Sequence, residues 1–287
     1  MFKSLFGIAP QEEPDGSFRP SKLALKIATS EVTDYQATSY EPYQGDRSKI
    51  LVVFTEQKNM TMKNGQDFST GNHPVEALLP MLHLKSAGFQ FEIATCSGRP
   101  VVFEMWAMPT KDSAVMDLYE RLKPDFERPK ALASIVSKLD KSDDYAAVFV
   151  PGGHGAMLGI PDDPNVGTML RWAHTNQVFT ISLCHGPGAL LATTLEGHDF
   201  PYTGYKLAVF PDSVDKQTPM IGYLPGQMPW QLSAKLQSMD VKLMNTKADD
   251  TCCIDRELIT GASPAAANKL GKLAATTLLN HLTQLTP

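Results

Sequence analysis

The sequence is poor in cysteine: Cys96, Cys184, Cys252 and Cys253 are the only four in 287 residues. That is too few for a disulfide framework, and the adjacent pair Cys252-Cys253 has neither C-x-x-C nor histidine spacing to suggest a metal. Positive charge is not in excess either. The chain has 26 Lys and Arg against 31 Asp and Glu, a net charge of -5, so no basic field invites nucleic acid binding. No apolar run reaches membrane-spanning length. The opening stretch, MFKSLFGIAPQEEPDG, carries one lysine and too short an apolar segment for a secretory signal. A cytoplasmic protein without a membrane partner is therefore expected. Also missing are a dinucleotide fingerprint, a Gly-Lys-Ser/Thr phosphate loop and the HExxH or H-x-x-x-H spacings of metal sites. These absences lead us to expect no cofactor and no metal.

What is present is a rhythm of short apolar runs and helical stretches. Lys49–Phe54, residues 89–95, Tyr145–Val150 and residues 178–183 are Val-, Ile- and Phe-rich runs suited to buried strands. Residues 74–87, 165–177 and 264–285 carry helical spacing; the first opens at Pro74 and closes at Gly88. Strand, helix and strand in succession form a βαβ unit, which implies a parallel sheet. Shorter strands are expected at 206–210, 241–244 and 258–260, and a further helix at 230–239. Residues 1–48 read as an irregular extension wrapping the core, with a short helix near 22–27. Residues 59–72 read as a long polar loop and residues 98–144 as an insertion. The sum is one doubly wound α/β domain over 49–287 with an N-terminal extension and a small inserted segment.

The stretch that gathers this pattern into chemistry is VFTISLCHGPGALL. Its strand stops at Cys184-His185-Gly186-Pro187, and Gly188 onward continues as a helix, so Cys184 lies on a strand-turn-helix elbow. Ligands of open α/β sheets bind at such carboxyl ends of strands, and a helix N-terminus favours thiolate over thiol. His185 can swing back over the sulfur at a tight elbow. Asp212 and Asp215, after a later strand, are both placed to reach its imidazole, and the pattern does not separate them. Gly152 and Gly153, in PGGHG after a buried strand, can turn backbone N–H groups toward an oxyanion. Glu76 lies in the first turn of the 74–87 helix, at the same edge of the sheet as Cys184. As a helix-start carboxylate it needs no further role; partly buried, it can protonate and hydrogen-bond the thiolate.

Taken in order, STGNHPVEALLP, EMWAMP, VPGGHGA, ISLCHGPGALL, FPDSVDKQTP and LITGASPAAANKLGKLAA resemble the heat-inducible chaperone branch of the ThiJ/PfpI superfamily. That branch is described as glutathione-independent glyoxalase III and as protein and nucleic acid deglycase. The resemblance runs from about residue 49 to the C-terminus. It implies a flavodoxin-like, doubly wound, mostly parallel sheet of the class I glutamine amidotransferase kind, and a homodimer. It implies Cys184 as nucleophile, His185 and Asp215 as triad partners, Glu76 as the acid that steadies the thiolate, and an oxyanion site at Gly152, Gly153 and the His185 N–H. The implied substrates are methylglyoxal and glyoxal, and glycated proteins, nucleotides and DNA. Two other classes use the same features: a cysteine peptidase or amidase, and a holdase chaperone binding unfolded proteins. Some members hold a metal with two histidines and a glutamate. The matching positions are Lys85, Gln90 and near Leu122, so no metal is expected there.

Overall fold

The parallel core follows from runs that are apolar on both faces. In the computed structural model, which describes residues 7–139 and 145–285, every residue of Lys49–Phe54, Tyr145–Val150 and Phe179–Leu183 except Lys49 is buried. Strands buried on both sides need helices on both sides. Across the seven-stranded sheet the order is Cys252–Asp255, Leu258–Gly261, Phe179–Leu183, Tyr145–Val150, Lys49–Phe54, Gln90–Thr95 and Lys130–Ala131. All neighbours are parallel except the outer pair Cys252–Asp255 and Leu258–Gly261. Side chains alternate along the central strand. Leu51 and Val53 join one core with Val166, Met169 and Leu170 of the helix Pro164–Thr175. Ile50, Val52 and Phe54 join the other with Leu78 and Met81 of Pro74–Ser86 and with Leu270 and Leu278 of the C-terminal helix Ala267–Leu285. This is the doubly wound, mostly parallel α/β sandwich expected from the sequence. No helix among the described residues is long and apolar enough to cross a membrane.

The extension contributes more regular structure than its composition promised. Its helix, Lys22–Ala28, starts at Ser21, whose Oγ accepts from Ala24 N at 3.0 Å and donates to Ile221 O at 2.6 Å. The second of these hydrogen bonds ties the extension to the loop around Ile221. Two short strands, Gln11–Glu12 and Phe18–Arg19, build a four-stranded sheet with Asp67–Ser69 and Asn59–Thr61. Residues 59–72 are therefore not a plain loop but contain a hairpin. Each of its strands buries one apolar residue, Met60 or Phe68, between polar neighbours, a pattern too brief to register as alternation.

The inserted stretch supplies the helix Ser113–Glu127 and, at Lys130–Ala131, the edge strand of the main sheet. Residues 140–144 at its end, and residues 1–6 of the extension, lie outside the described residues. The strand expected over 206–210 is shorter and off the main sheet: Lys206–Leu207 pairs only with Lys242–Leu243. Beyond the elbow the chain takes a 3-10 path, Gly186–Gly197, rather than an α-helix.

Candidate active site

The backbone strain of the elbow falls on the cysteine itself. The positive turn angle falls on Cys184, at φ 58°, a region that costs a non-glycine residue about 1–3 kcal/mol. The neighbouring strand and the segment before Asp212 hold it there: Cys184 N donates to Gly261 O at 2.8 Å, and Phe210 N donates to Cys184 O at 3.0 Å. Gly186 is required for a different reason. A Cβ there would lie 2.6 Å from Val150 O and 2.5 Å from Ser182 Oγ, so only glycine lets the turn press against the adjacent strand.

Cys184 Sγ lies 3.2 Å from His185 Nδ1, and His185 Nε2 lies 2.8 Å from Asp215 Oδ2. Burial alone would raise Asp215, but the rings of His185 and His154 outweigh it and hold the carboxyl well below the ordinary carboxylate range. An ionised Asp215 only accepts, so His185 carries its proton on Nε2 and turns the Nδ1 lone pair to the sulfur. Asp212 takes a separate part. Its two oxygens accept from Ser233 N at 2.8 Å and Ala234 N at 2.9 Å, capping the start of the helix Leu232–Gln237. Sequence pattern left these two aspartates open; the geometry divides them.

Glu76 is fully buried in the first turn of its helix. Burial pushes its carboxyl well above the ordinary range; the nearby Glu104 pushes further, while the Cys184 thiol and the Gly153 N–H offset part of the effect. Neither of these two reaches hydrogen-bond geometry with Glu76, whose oxygens have no partner among the described residues. Gly152 makes the closeness possible: a Cβ there would collide with Glu76 Oε2 and stand 2.8 Å from Cys184 Cβ. Gly153, at φ 100°, turns its N–H toward the Cys184–Glu76 pair.

One expectation is corrected here. The elbow does not lower the thiol. Burial pushes Cys184 well above the ordinary cysteine range, Glu76 and Asp215 push the same way, and the Gly153 N–H opposes them only weakly. Cys184 is 3% exposed, and such burial disfavours the thiolate. Its proton must leave when substrate arrives, and His185 Nδ1 is the acceptor in place to take it.

His154 was missed by the sequence reading. It follows the two glycines in PGGHG, and its Nε2 lies 2.9 Å from Asp215 Oδ1. Asp215 thus holds two imidazoles, whose ring centroids are 4.1 Å apart. The only sequence signal is a histidine in a glycine turn at the same sheet edge, since the pairing depends on how that turn folds. His154, His185 and Asp215 also form the one group among the described residues with ligand atoms close enough to hold a metal. Both carboxylate oxygens are already committed to ring N–H donors. At the other position, Lys85, Gln90 and Leu122 do not fit a metal: an ammonium and an isobutyl group cannot ligate, and a neutral amide is a weak donor.

These groups open onto a cavity of about 430 Å³. Glu76, Glu104, His73, His154, Cys184 and His185 supply its polar floor, while Ile27 and Ala28 of the extension and Ile221 and Tyr223 of the loop opposite supply apolar walls.

The sequence profile of the DJ-1/PfpI family matches residues 67–214. The chain is 48% identical over 266 residues to the protein/nucleic acid deglycase HchA of Escherichia coli O157:H7, covering 92% of this chain and 93% of that protein. It matches protein/nucleic acid deglycase 1 of Escherichia coli K12 equally, at 48% over 266 residues. Among solved structures, the Rapid Encystment Protein 24 KDa of Francisella tularensis aligns with a TM-score of 0.68 at 17% identity, over 80% of this chain and 99% of that one. The glyoxalase III of Candida albicans aligns with a TM-score of 0.61 at 20% identity, over 80% and 98%. At such identities the two structures speak for the fold.

Proposed function

The chain belongs to the DJ-1/PfpI family, and on that premise we propose that it is a cofactor-independent cysteine enzyme of reactive carbonyls: a glutathione-independent glyoxalase III and a deglycase of glycated proteins and nucleic acids. The observation that carries this reading is a strained cysteine at φ 58°, 3.2 Å from an imidazole whose other nitrogen meets a carboxylate at 2.8 Å. The relatives at 48% identity, named as protein/nucleic acid deglycases, supply the substrate class.

In this mechanism Cys184 adds to the aldehyde carbon of methylglyoxal while His185 Nδ1 takes the thiol proton. The alkoxide that forms meets the Gly153 and His185 N–H groups and the protonated carboxyl of Glu76. Asp215 holds the His185 ring in the tautomer that accepts at Nδ1 and steadies the imidazolium that follows. The hemithioacetal then isomerises through an enediol to a thioester, and water releases lactate. On glycation adducts the same addition takes place at a carbonyl carried by an amino acid or a base. A cavity of about 430 Å³ leaves room for more than a three-carbon substrate.

Purified protein should convert methylglyoxal to lactate without glutathione, and Cys184→Ala should not. Equal turnover by both proteins would sink the covalent mechanism. The homodimer and the cytoplasmic location implied by the family belong to the same proposal and are read by sedimentation and cell fractionation. A second reading, holdase activity, has its own observation: Ile27 and Met220 are 64% and 66% exposed beside the apolar walls of the cavity. Suppression of aggregation that survives Cys184→Ala would favour it.

A further inference from the structure

Unsatisfied buried side-chain atoms gather at the cavity. Of the six among the described residues, four belong to cavity-lining groups: His73 Nδ1, both oxygens of Glu76, and Glu104 Oε2. Glu76 already has a part in the mechanism above. Glu104 has none, although it is as deeply buried, at 1% exposure. The chain fixes it from two sides. Its backbone N donates to Asn72 O at 3.0 Å, and Thr70 Oγ1 donates to its Oε1 at 2.7 Å. One oxygen is therefore anchored, and the other has no partner on a cavity it shares with Cys184. A carboxyl built only to hold Thr70 would not need to border the substrate's space with a bare oxygen.

We propose that Glu104 is a second catalytic acid–base group, whose Oε2 binds the substrate oxygen on the carbon next to the one attacked by Cys184. This rests on the carbonyl chemistry proposed above. In the hemithioacetal Cys184–S–CH(OH)–CO–CH3, formed when the His185 imidazolium returns its proton to the alkoxide, the carbon-bound hydrogen at C1 leaves as a proton to the freed His185 Nδ1, the base of this step. Glu104 gives its proton to the ketone oxygen on C2, and the C1–C2 electrons close to an enediol. The base returns its proton to C2, and Glu104 takes the proton of the C1 hydroxyl. The product is the thioester Cys184–S–CO–CH(OH)–CH3. C1 is oxidised and C2 reduced within one molecule, both groups regain their starting protonation, and no outside redox partner is needed.

The surroundings suit that exchange. Burial pushes Glu104 up to about 7, with His154 and the Thr70 hydroxyl restraining it, so both of its forms are accessible near neutrality. The groups around it are Glu76 from its helix, His154 from the glycine turn, and Tyr223 from the loop opposite. His73, lining the same cavity, is depressed to about 3 by burial and by His154, so it stays neutral and leaves Glu104 without a counter-charge there.

The test is the pH profile of kcat/KM and kcat for methylglyoxal, measured for the wild type, Glu104→Gln, Thr70→Val and Cys184→Ser. Wild type should lose kcat/KM as pH rises through about 7, where the acid form disappears. Glu104→Gln keeps a donor and the shape but cannot pass a proton. Its kcat should fall by about 10²-fold, with KM little changed and the limb near 7 gone. Thr70→Val keeps the carboxyl and removes its anchor, so the limb should move to higher pH with the plateau near wild type. Wild-type kcat and an unchanged limb in Glu104→Gln would overturn the proposal. Should Glu104→Gln fail to fold, an unmoved limb in Thr70→Val overturns it equally. Full turnover in Cys184→Ser would instead mark the failure of the underlying mechanism.

Discussion

His154 Nε2 and Asp215 Oδ1 are 2.9 Å apart, and the other oxygen of Asp215 is 2.8 Å from His185 Nε2. One carboxylate thus joins two imidazoles tilted at 34° to each other, and its orientation toward His185 depends on the second contact. Replacing His154 by Leu should leave Oδ1 buried without a donor. The expected cost is about 1–3 kcal/mol of stability, with a fall in kcat as His185 loses its fixed tautomer. Urea unfolding and lactate assays on one preparation measure both. An unchanged kcat in a destabilised protein would make His154 purely structural.

Asp212 and Asp215 should separate cleanly on mutation. Asp212 caps Leu232–Gln237 through Ser233 N and Ala234 N. Asp212→Ala should then cost about 1 kcal/mol and leave dicarbonyl turnover near wild type. Asp215→Asn keeps the volume but loses the charge that orients His185, and it should drop kcat by at least about 10²-fold. A reversed outcome, with Asp212 the more damaging to activity, would break the assignment of the triad.

How far these parts were legible depends on how local their cause is. The elbow could be read because an apolar strand ending in Cys-His-Gly-Pro leaves the chain few alternatives. The helix Pro74–Ser86 could be read because a proline opens it and a glycine closes it, and this placed Glu76 at the right edge. The partners of His154 and of Asp215 were not legible in the same way. They are fixed by how a glycine turn and a six-residue helix, Asp212–Gln217, pack across the mouth of the sheet. The edge strand Cys252–Asp255 escaped notice because it is only half-buried and has no apolar run. The helix-end preference for a thiolate was legible, but pattern does not show the burial that pushes Cys184 up, against the favourable N-terminal end of the 3-10 segment.

The strain at Cys184 should be measurable as stability. Its φ of 58° is a conformation that glycine adopts freely and other residues do not. Both Cys184→Ala and Cys184→Gly remove the sulfur, but only glycine releases the backbone. Cys184→Gly should be more stable than Cys184→Ala by roughly 1 kcal/mol, even though glycine usually loses more entropy on folding. Thermal or urea unfolding of the two inactive variants decides it. If alanine is the more stable, the elbow is not strained.

Glu104 should contribute a fall in stability as pH rises from about 4.5 to about 7, against which His73, buried in its neutral form, contributes a rise that ends near 6.5. Its carboxyl titrates near 4.5 in a free chain and is pushed up to about 7 by burial, restrained by His154 and Thr70. Below that window both states hold the proton. Inside it the unfolded chain ionises while the native protein does not, so the native state binds more protons and loses stability with rising pH. Above about 7 both are ionised and the slope ends. That separation corresponds to roughly 3 kcal/mol in total. Glu76, also raised by burial, acts in the same direction. Asp215, held below the ordinary range despite its burial by His185 and His154, acts in the opposite sense, and only below about 4, outside this window. Relative to wild type, Glu104→Gln should therefore gain stability between pH 5 and 7 by up to about 1.4 kcal/mol per pH unit, whatever the net slope of the two profiles. Urea unfolding of both proteins at pH 5, 6, 7 and 8 gives the comparison. Parallel profiles would mean that Glu104 keeps the same protonation throughout, and its place as an acid–base group would fall with it.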